Sequence, residues 1–453
     1  MEVLKKTVTI NIGKIINIKK IILNVLGGNN MKEHLALALV IFLLTYIAIV
    51  SEKINRTSIS LFGAILMIVF EVISQEQAFL FIDFNTIGLL IGMMIIVNIL
   101  KRTGIFQFIA IKTAKIANGN PTKIMVLFCI ITAISSALLD NVTTILLIAP
   151  VTFVITETLD INPISFLIPE VLAANIGGAA TLIGDPPNIM IAGSSNLSFM
   201  DFLINLGPVI AIIFIISLLI LKKIYKKSLV VKKENVKKLL NFDEKRSIQD
   251  KILLKKSFFV LALTMIGFTT HEILHLESAT VALFGGIFLL LISKCEVEDI
   301  LIEIEWTTIF FFCGLFILVG ALEEVGVINF LAKKMIAITN GNLSLAKIVI
   351  LWLSAIASSF LDNIPFVATM IPLINNIASM SHSNIEPLWW SLSLGACLGG
   401  NGTIVGASAN VIVFGMLKKK GFNISFLDFM KIGFPIMLIS IIISNVYLVL
   451  FYV

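Results

Sequence analysis

Charge is scarce in this chain of 453 residues: only 14% are Asp, Glu, Lys or Arg, while 58% are hydrophobic. A soluble fold of this length would need more polar surface than that, so a soluble protein is excluded. Cysteine is rarer still. Cys129, Cys295, Cys313 and Cys397 stand singly with no CxxC pair, which argues against a disulfide framework or a zinc site. Cys397 reads as a small buried apolar filler. The four histidines are also scattered; His271 and His275 are four apart but fall in a short polar loop, where no structural metal is expected. No Walker-type glycine loop occurs, so any ATP coupling would need a separate soluble ATPase subunit. The net charge of +6 is no nucleic-acid signature, because the basic residues sit beside apolar runs.

What the chain has instead is long apolar runs, with a mean hydropathy of +1.03. Leu-, Ile- and Phe-rich stretches recur, each long enough to cross a hydrocarbon core of about 30 Å. They predict crossings at 33–50, 57–73, 85–100, 203–221, 257–270, 279–293, 306–320 and 431–452. Two further runs, 164–195 and 388–417, are interrupted by Gly, Asn and Pro. The lipid bilayer is therefore the first partner, and the expected place is the cell membrane, crossed many times. Of 34 Lys and Arg, thirteen lie in 222–256, and an excess of positive charge marks the cytoplasmic side. Alternating outward from there puts 101–123 inside and the loops 195–202 and 271–278 outside. The chain divides into an N-terminal extension (1–32), a first repeat (33–221), a basic cytoplasmic linker (222–256) and a second repeat (257–453). This topology puts the lysines of the extension outside, against the rule. Met31 is an alternative start, which would leave the preceding residues untranslated, and a surface-lying amphipathic helix is the other reading.

The two halves align without a gap at an offset of 222 residues from Phe84 to Asn188. Gly92 matches Gly314, Asn118-Gly119-Asn120 matches Asn340-Gly341-Asn342, and Ser136, Asp140, Asn141 and Pro150 match Ser358, Asp362, Asn363 and Pro372. Gly177-Gly178, Thr181, Gly184 and Asn188 match Gly399-Gly400, Thr403, Gly406 and Asn410. Chance apolar similarity would not keep Gly, Asn and Asp in register so far; the chain is a duplication. Each half holds five crossings, one of them a broken helix, and an apolar pair (121–158 or 345–380) read as a re-entrant hairpin. Five is odd, so the second half is expected to run in the opposite sense, as in inverted-repeat transporters. The fold class is all-α and polytopic.

The hairpin tips carry Asp140, Asn141 and Thr143 in one half and Asp362 and Asn363 in the other, each midway along an apolar stretch. A carboxylate at that depth is costly and needs a partner or water, and non-helical backbone there must be buried in protein or line a cavity. The plainer reading makes Asp140 and Asp362 caps of the returning helices. The second polar element runs Asn175-Ile176-Gly177-Gly178-Ala179-Ala180-Thr181-Leu182-Ile183-Gly184-Asp185-Pro186-Pro187-Asn188, and its partner holds Asn401, Thr403 and Asn410. Gly and Pro unwind a helix there and free carbonyls for cations, while the Thr and Asn side chains add neutral oxygens. A simple kink is the alternative. Asp185 faces Ala407 across the repeat and Glu170 faces Leu392. Both are candidates for proton or sodium coupling, or for a local salt bridge or cap. A sodium site at these same residues is one expectation; no other cofactor is implied.

The run Ser136–Thr143, followed by Asn175–Asn188, resembles the arsenical-pump membrane proteins, the melanosomal P protein permeases and the sodium/proton antiporters of the ion-transporter superfamily, with a citrate transporter-like domain. The resemblance spans about 33–453. It implies a homodimer with a scaffold and a mobile transport domain moving as an elevator. The binding residues implied are Asp140, Asn141, Thr143, Asn188, Asp362, Asn363, Thr403 and Asn410. The sodium/dicarboxylate branch carries Ser-Asn-Thr at both tips, where this chain has Asp-Asn. The expectation is a non-enzymatic secondary transporter of a small inorganic ion or anion, with arsenite or antimonite efflux first. Sodium/proton exchange is second and di- or tricarboxylate transport third. A pump subunit driven by a soluble ATPase, or a passive channel, is the reading from a different class.

Overall fold

A computed structural model describes residues 30–452 except Glu52, Asn196, Glu272, His382 and Ser383. The predicted N-terminal extension lies outside the described residues, apart from its last three. All regular elements among the described residues are helical. Eight of these helices are long and apolar enough to cross a membrane.

The first series runs α1 (Asn30–Val50), α2 (Arg56–Val69), the short α3 (Gln75–Leu80), α4 (Phe84–Lys101), α5 (Ile105–Ile116), α6 (Pro121–Leu138), α7 (Asn141–Leu159), α8 (Ile164–Gly178), α9 (Pro186–Ser194) and α10 (Phe199–Tyr225). The linker holds α11 (Lys233–Leu240) and a 3₁₀ turn, Glu244–Ser247. A second series repeats the order: α12 (Lys251–Thr270), α13 (Ser278–Ser293), α14 (Val297–Ile302), α15 (Trp306–Glu324), α16 (Val327–Ile338), α17 (Leu343–Phe360), α18 (Asn363–Ser381), α19 (Glu386–Gly399), α20 (Ser408–Lys419) and α21 (Phe426–Phe451). The repeated motifs explain the repeated ends. Asn118 and Gly119 take left-handed φ of 52° and 67°, as Asn340 and Gly341 do at 50° and 70°. Asn120 and Asn342 then cap α6 and α17, accepting from Lys123 N and Leu345 N, both at 3.1 Å.

These helices form two compact units that do not coincide with the two repeats: residues up to Asp83 with Trp306–Met335, and Phe84–Glu305 with residues from Ile336 onward. In the first unit, α2 packs on α15 so closely that a Cβ on Gly314 would lie 2.7 Å from Ser60 C. In the second, α13 packs on α4 in the equivalent way, and a Cβ on Gly92 would lie 2.3 Å from Ala282 C. Each repeat has thus lent its second helix to the third long helix of the other.

The second unit holds both hairpins (α6–α7 and α17–α18) and both broken helices (α8–α9 and α19–α20). At one end of it the linker lies against the chain: Gln249 N donates to Thr103 O (3.0 Å), Lys115 pairs with Glu244 (2.5 Å), and Ser165 Oγ donates to Ser228 Oγ (3.1 Å). At another, a cavity of about 330 Å³ is lined by Thr86, Gly193, Ser195, His271 and Glu277. That cavity joins the two loops expected outside. The arms of the first hairpin are 18 and 19 residues long, long enough by themselves to cross. The tip nevertheless stops level with the break in α8–α9: Thr181 Oγ1 donates to Ala137 O (2.6 Å) and Ser136 Oγ to Ala174 O (2.7 Å).

Candidate transport site

Four helices begin within the region where the halves face each other: α7, α9, α18 and α20. Their preceding residues are Asp140, Asp185, Asp362 and Ala407. Asp140 Oδ1 accepts from Thr143 N at 2.7 Å, and Asp362 Oδ1 from Ile364 N at 3.1 Å. Asp362 Oδ2 also accepts from Ser408 Oγ at 3.0 Å. Both tip aspartates therefore cap their helices, and both remain partly exposed. Asp185 differs. It makes no side-chain cap, is 1% exposed, accepts from Asn363 Nδ2 at 3.3 Å, and leaves Oδ2 without a hydrogen-bond partner.

Between these groups lies a buried carboxamide chain that crosses from one half to the other. Asn141 Nδ2 donates to Asn175 Oδ1 (3.2 Å), and Asn175 Nδ2 donates to Asn401 Oδ1 (2.9 Å) and Asn410 Oδ1 (3.0 Å). Asn188 Oδ1 accepts from Ser393 Oγ at 2.6 Å and lies 3.5 Å from Cys397 Sγ. The offset of 222 turns Asn175 into Cys397 and Asn188 into Asn410, so Asn175–Asn410 and Cys397–Asn188 are the same contact made from opposite halves. The first tip meets this chain through Asn141 and Asn175, and the second tip reaches the first half by a separate bond, from Asn363 to Asp185.

The remaining predicted residues hold the frame. Asn188 and Asn410 each donate to the carbonyl of the threonine seven residues before, Thr181 at 2.8 Å and Thr403 at 2.9 Å. The Thr181 and Thr403 hydroxyls donate to the hairpin carbonyls of Ala137 and Ser359, which tie each break to its tip. Glycine is required where backbones meet: a Cβ on Gly177 would lie 2.2 Å from Ala133 O, and one on Gly399 would lie 2.7 Å from Ala355 O. Glu170 is not in this cluster; it is bonded by Thr152 on α7. Cys397, expected as apolar filler, lies against Asn188, and Ser393 and Ser408 had no sequence signal beyond their place in the repeat. Among the described residues, no group of three His, Cys, Asp or Glu is arranged to hold a metal ion, His271 and His275 included.

The electrostatics are one-sided. No Lys, Arg or His occurs between 124 and 221, and His382 is the sole basic residue between 348 and 417. Among the described residues, no ion pair reaches Asp140 or Asp185.

A family model described as "Citrate transporter" matches residues 46–395. The chain belongs to the citrate transporter family. Relatives of this family member include a 46 kDa membrane protein of Mycobacterium leprae, 43% identical over 422 residues that cover 92% of this chain and 98% of that one. The human P protein is 31% identical over 508 residues, covering 94% of this chain and 61% of that one. The fold resembles the crystal structure of the YdaH transporter of Alcanivorax borkumensis, with a TM-score of 0.57 at 13% identity, over 83% of this chain and 86% of that one. This citrate transporter family member is a multi-pass membrane transporter of the cell membrane.

Proposed function

We propose that the chain is a secondary active transporter of a small inorganic ion, coupled to a proton or sodium gradient through Asp185 and the carboxamides around it. One observation carries this reading: three of the four helix N-termini at the site are preceded by an aspartate, with no lysine or arginine in the sequence around them. Helix N-termini and bases attract anions; here the aspartates already fill that role. A di- or tricarboxylate would add its own charges to three more, so citrate, which the family description names, is disfavoured. A proton or a sodium ion instead finds a buried carboxylate oxygen with no partner and several amide oxygens. Sodium/proton exchange is the reading favoured. Arsenite is largely uncharged in neutral water and would meet no repulsion, but neither the family description nor the relatives' names support it.

The working cycle we infer treats the halves as inverted, with the two hairpins and two broken helices moving together as an elevator, in a pair of chains. The linker's packing on its own chain, at Lys115 and Gly119, weighs against a docking face for an ATPase. Cysteines introduced at Ser228 and Ser195 should label from opposite sides with an impermeant thiol reagent; labelling from one side refutes the topology. The decisive measurement is flux in proteoliposomes under imposed proton and sodium gradients, with sodium, arsenite and citrate as substrates. Sodium movement driving proton counterflow is expected. Citrate uptake indifferent to both gradients would overturn the reading.

A further inference from the structure

Glu170 is the buried carboxyl that the site does not use. It lies in α8, five residues before Asn175, and is 0% exposed. Thr152 on α7 donates to both its oxygens, at 3.1 and 2.9 Å. Cys129 on α6 is the titratable group close enough to feel its charge, and Tyr225 on α10 stands beyond Cys129 with a buried hydroxyl that has no hydrogen-bond partner. The helices α19 and α20, which also pack on α8, place no charged group beside Glu170 among the described residues.

The repeat makes this arrangement informative. The positions equivalent to Cys129, Thr152, Thr156 and Glu170 are Leu351, Ile374, Ala378 and Leu392, all apolar, and Leu351, Ile374 and Leu392 are fully buried. The same helix packing is therefore built elsewhere in this chain from hydrocarbon alone. A carboxyl there is costly and adds nothing the packing needs. Its position is also directional. Below it, Thr156 lies one turn nearer the end where Ser165 meets Ser228 of the basic linker. Above it, the hydroxyls of Thr132 and Ser136 follow along α6 to the break, and the Thr132 hydroxyl is buried with no hydrogen-bond partner.

We propose that Glu170 is a proton-carrying group between the linker face and the Asp185 cluster, present in one half only, so that exchange of protons with that face, and not with the opposite one, runs through a carboxyl. This rests on the proton-coupled reading above. The Glu170 carboxylate, closed to solvent in this structure, accepts a proton from a water that enters past Thr156 from the linker face and becomes a neutral carboxyl, whose O–H donates to Thr152 Oγ1. It then gives the proton up towards Asp185, along the α6 hydroxyls, and returns to the carboxylate that accepts from Thr152. The Thr152 hydroxyl serves both states because it donates and accepts.

The test uses the full-length protein in oriented proteoliposomes, with Glu170→Gln and Glu170→Leu, the latter copying the natural residue of the second half. Both variants should insert and melt like the parent. Sodium-driven proton flux should fall at least about tenfold, and what remains should lose its dependence on pH at the linker face while keeping that at the opposite face. Infrared difference spectra between acid and neutral pH should show a protonated-carboxyl band in the parent that is missing from Glu170→Gln. Parental proton flux and pH profile in both variants would overturn the proposal. So would a missing carboxyl band, or a Glu170→Leu that fails to fold while Glu170→Gln keeps parental flux, which would make Glu170 a structural acceptor. If the parent moves no sodium or protons but the band is present, the exchanger reading fails while Glu170 still stands as a titrating group.

Discussion

Replacing Asp185 by asparagine separates charge from shape at the centre of the site. The carboxylate is buried, accepts one hydrogen bond of 3.3 Å from Asn363, and leaves its second oxygen unpaired. A charge at the middle of a membrane helix costs at least about 2.5–3.5 kcal/mol on insertion scales. The Asp185→Asn side chain would keep the Oδ1 acceptor for Asn363 and remove that cost, but its new NH₂ has no obvious acceptor, a penalty of about 1–3 kcal/mol. The balance is a stabilisation of about 0–2 kcal/mol, so the melting temperature of the purified protein should hold or rise by a few degrees. Coupled transport should fall to background, since the titratable group is gone. Paired thermal-shift and gradient-driven flux measurements read both quantities from one preparation. Retained coupled flux would remove Asp185 from the mechanism, and a clear fall in melting temperature with the lost activity would make it a structural acceptor.

Asp140→Asn and Asp362→Asn should keep their caps, since Asn caps a helix nearly as well as Asp; each should lose less than about 1 kcal/mol of stability, and transport that survives in both would reduce the tip aspartates to caps. Gly177→Val should force α6 and α8 apart, because its Cβ would sit 2.2 Å from Ala133 O, at a cost of several kcal/mol; normal membrane yield and melting would refute the close approach. At the linker, the hydrogen bond from Lys115 holds the Glu244 carboxyl below its ordinary range, so the contact should persist at neutral pH and be lost only as pH falls through that lowered value. Amide protection over 244–250, taken relative to the intrinsic exchange rate at each pH, should therefore fall only in acid, and already at neutral pH in Lys115→Met.

The repeat, the hairpin tips and the break after Gly178 were legible in the sequence because Gly, Asn, Pro and Asp are expensive inside a membrane and so stand out against leucine. Tip aspartates at Asp140 and Asp362 were legible for the same reason, in both of their readings. The contact of Asn175 with Asn401 and Asn410 was not, since it depends on how one half faces the other, and no local pattern encodes that. Cys397 is fully buried, as its reading as filler has it, but its contact with Asn188 was not legible, because only the fold shows it mirroring that of its repeat partner, Asn175. Nor did the hydropathy runs reveal that compact units would cut across repeats, because the exchange of α2 and α13 leaves each helix's own composition unchanged.

That exchange governs the order in which the protein can be built. Gly92 of α4 has no partner until Ala282 has been synthesised, after the whole linker has left the ribosome, and Gly314 must find Ser60 across an even longer interval. Contacts so distant in sequence form late, after the loop-closure cost has been met. The first half must therefore wait in the bilayer with a glycine-lined helix face uncovered, open to chaperones and proteases. A chain cut within the linker should yield two fragments that are degraded when expressed singly and survive when expressed together, each being the other's missing wall.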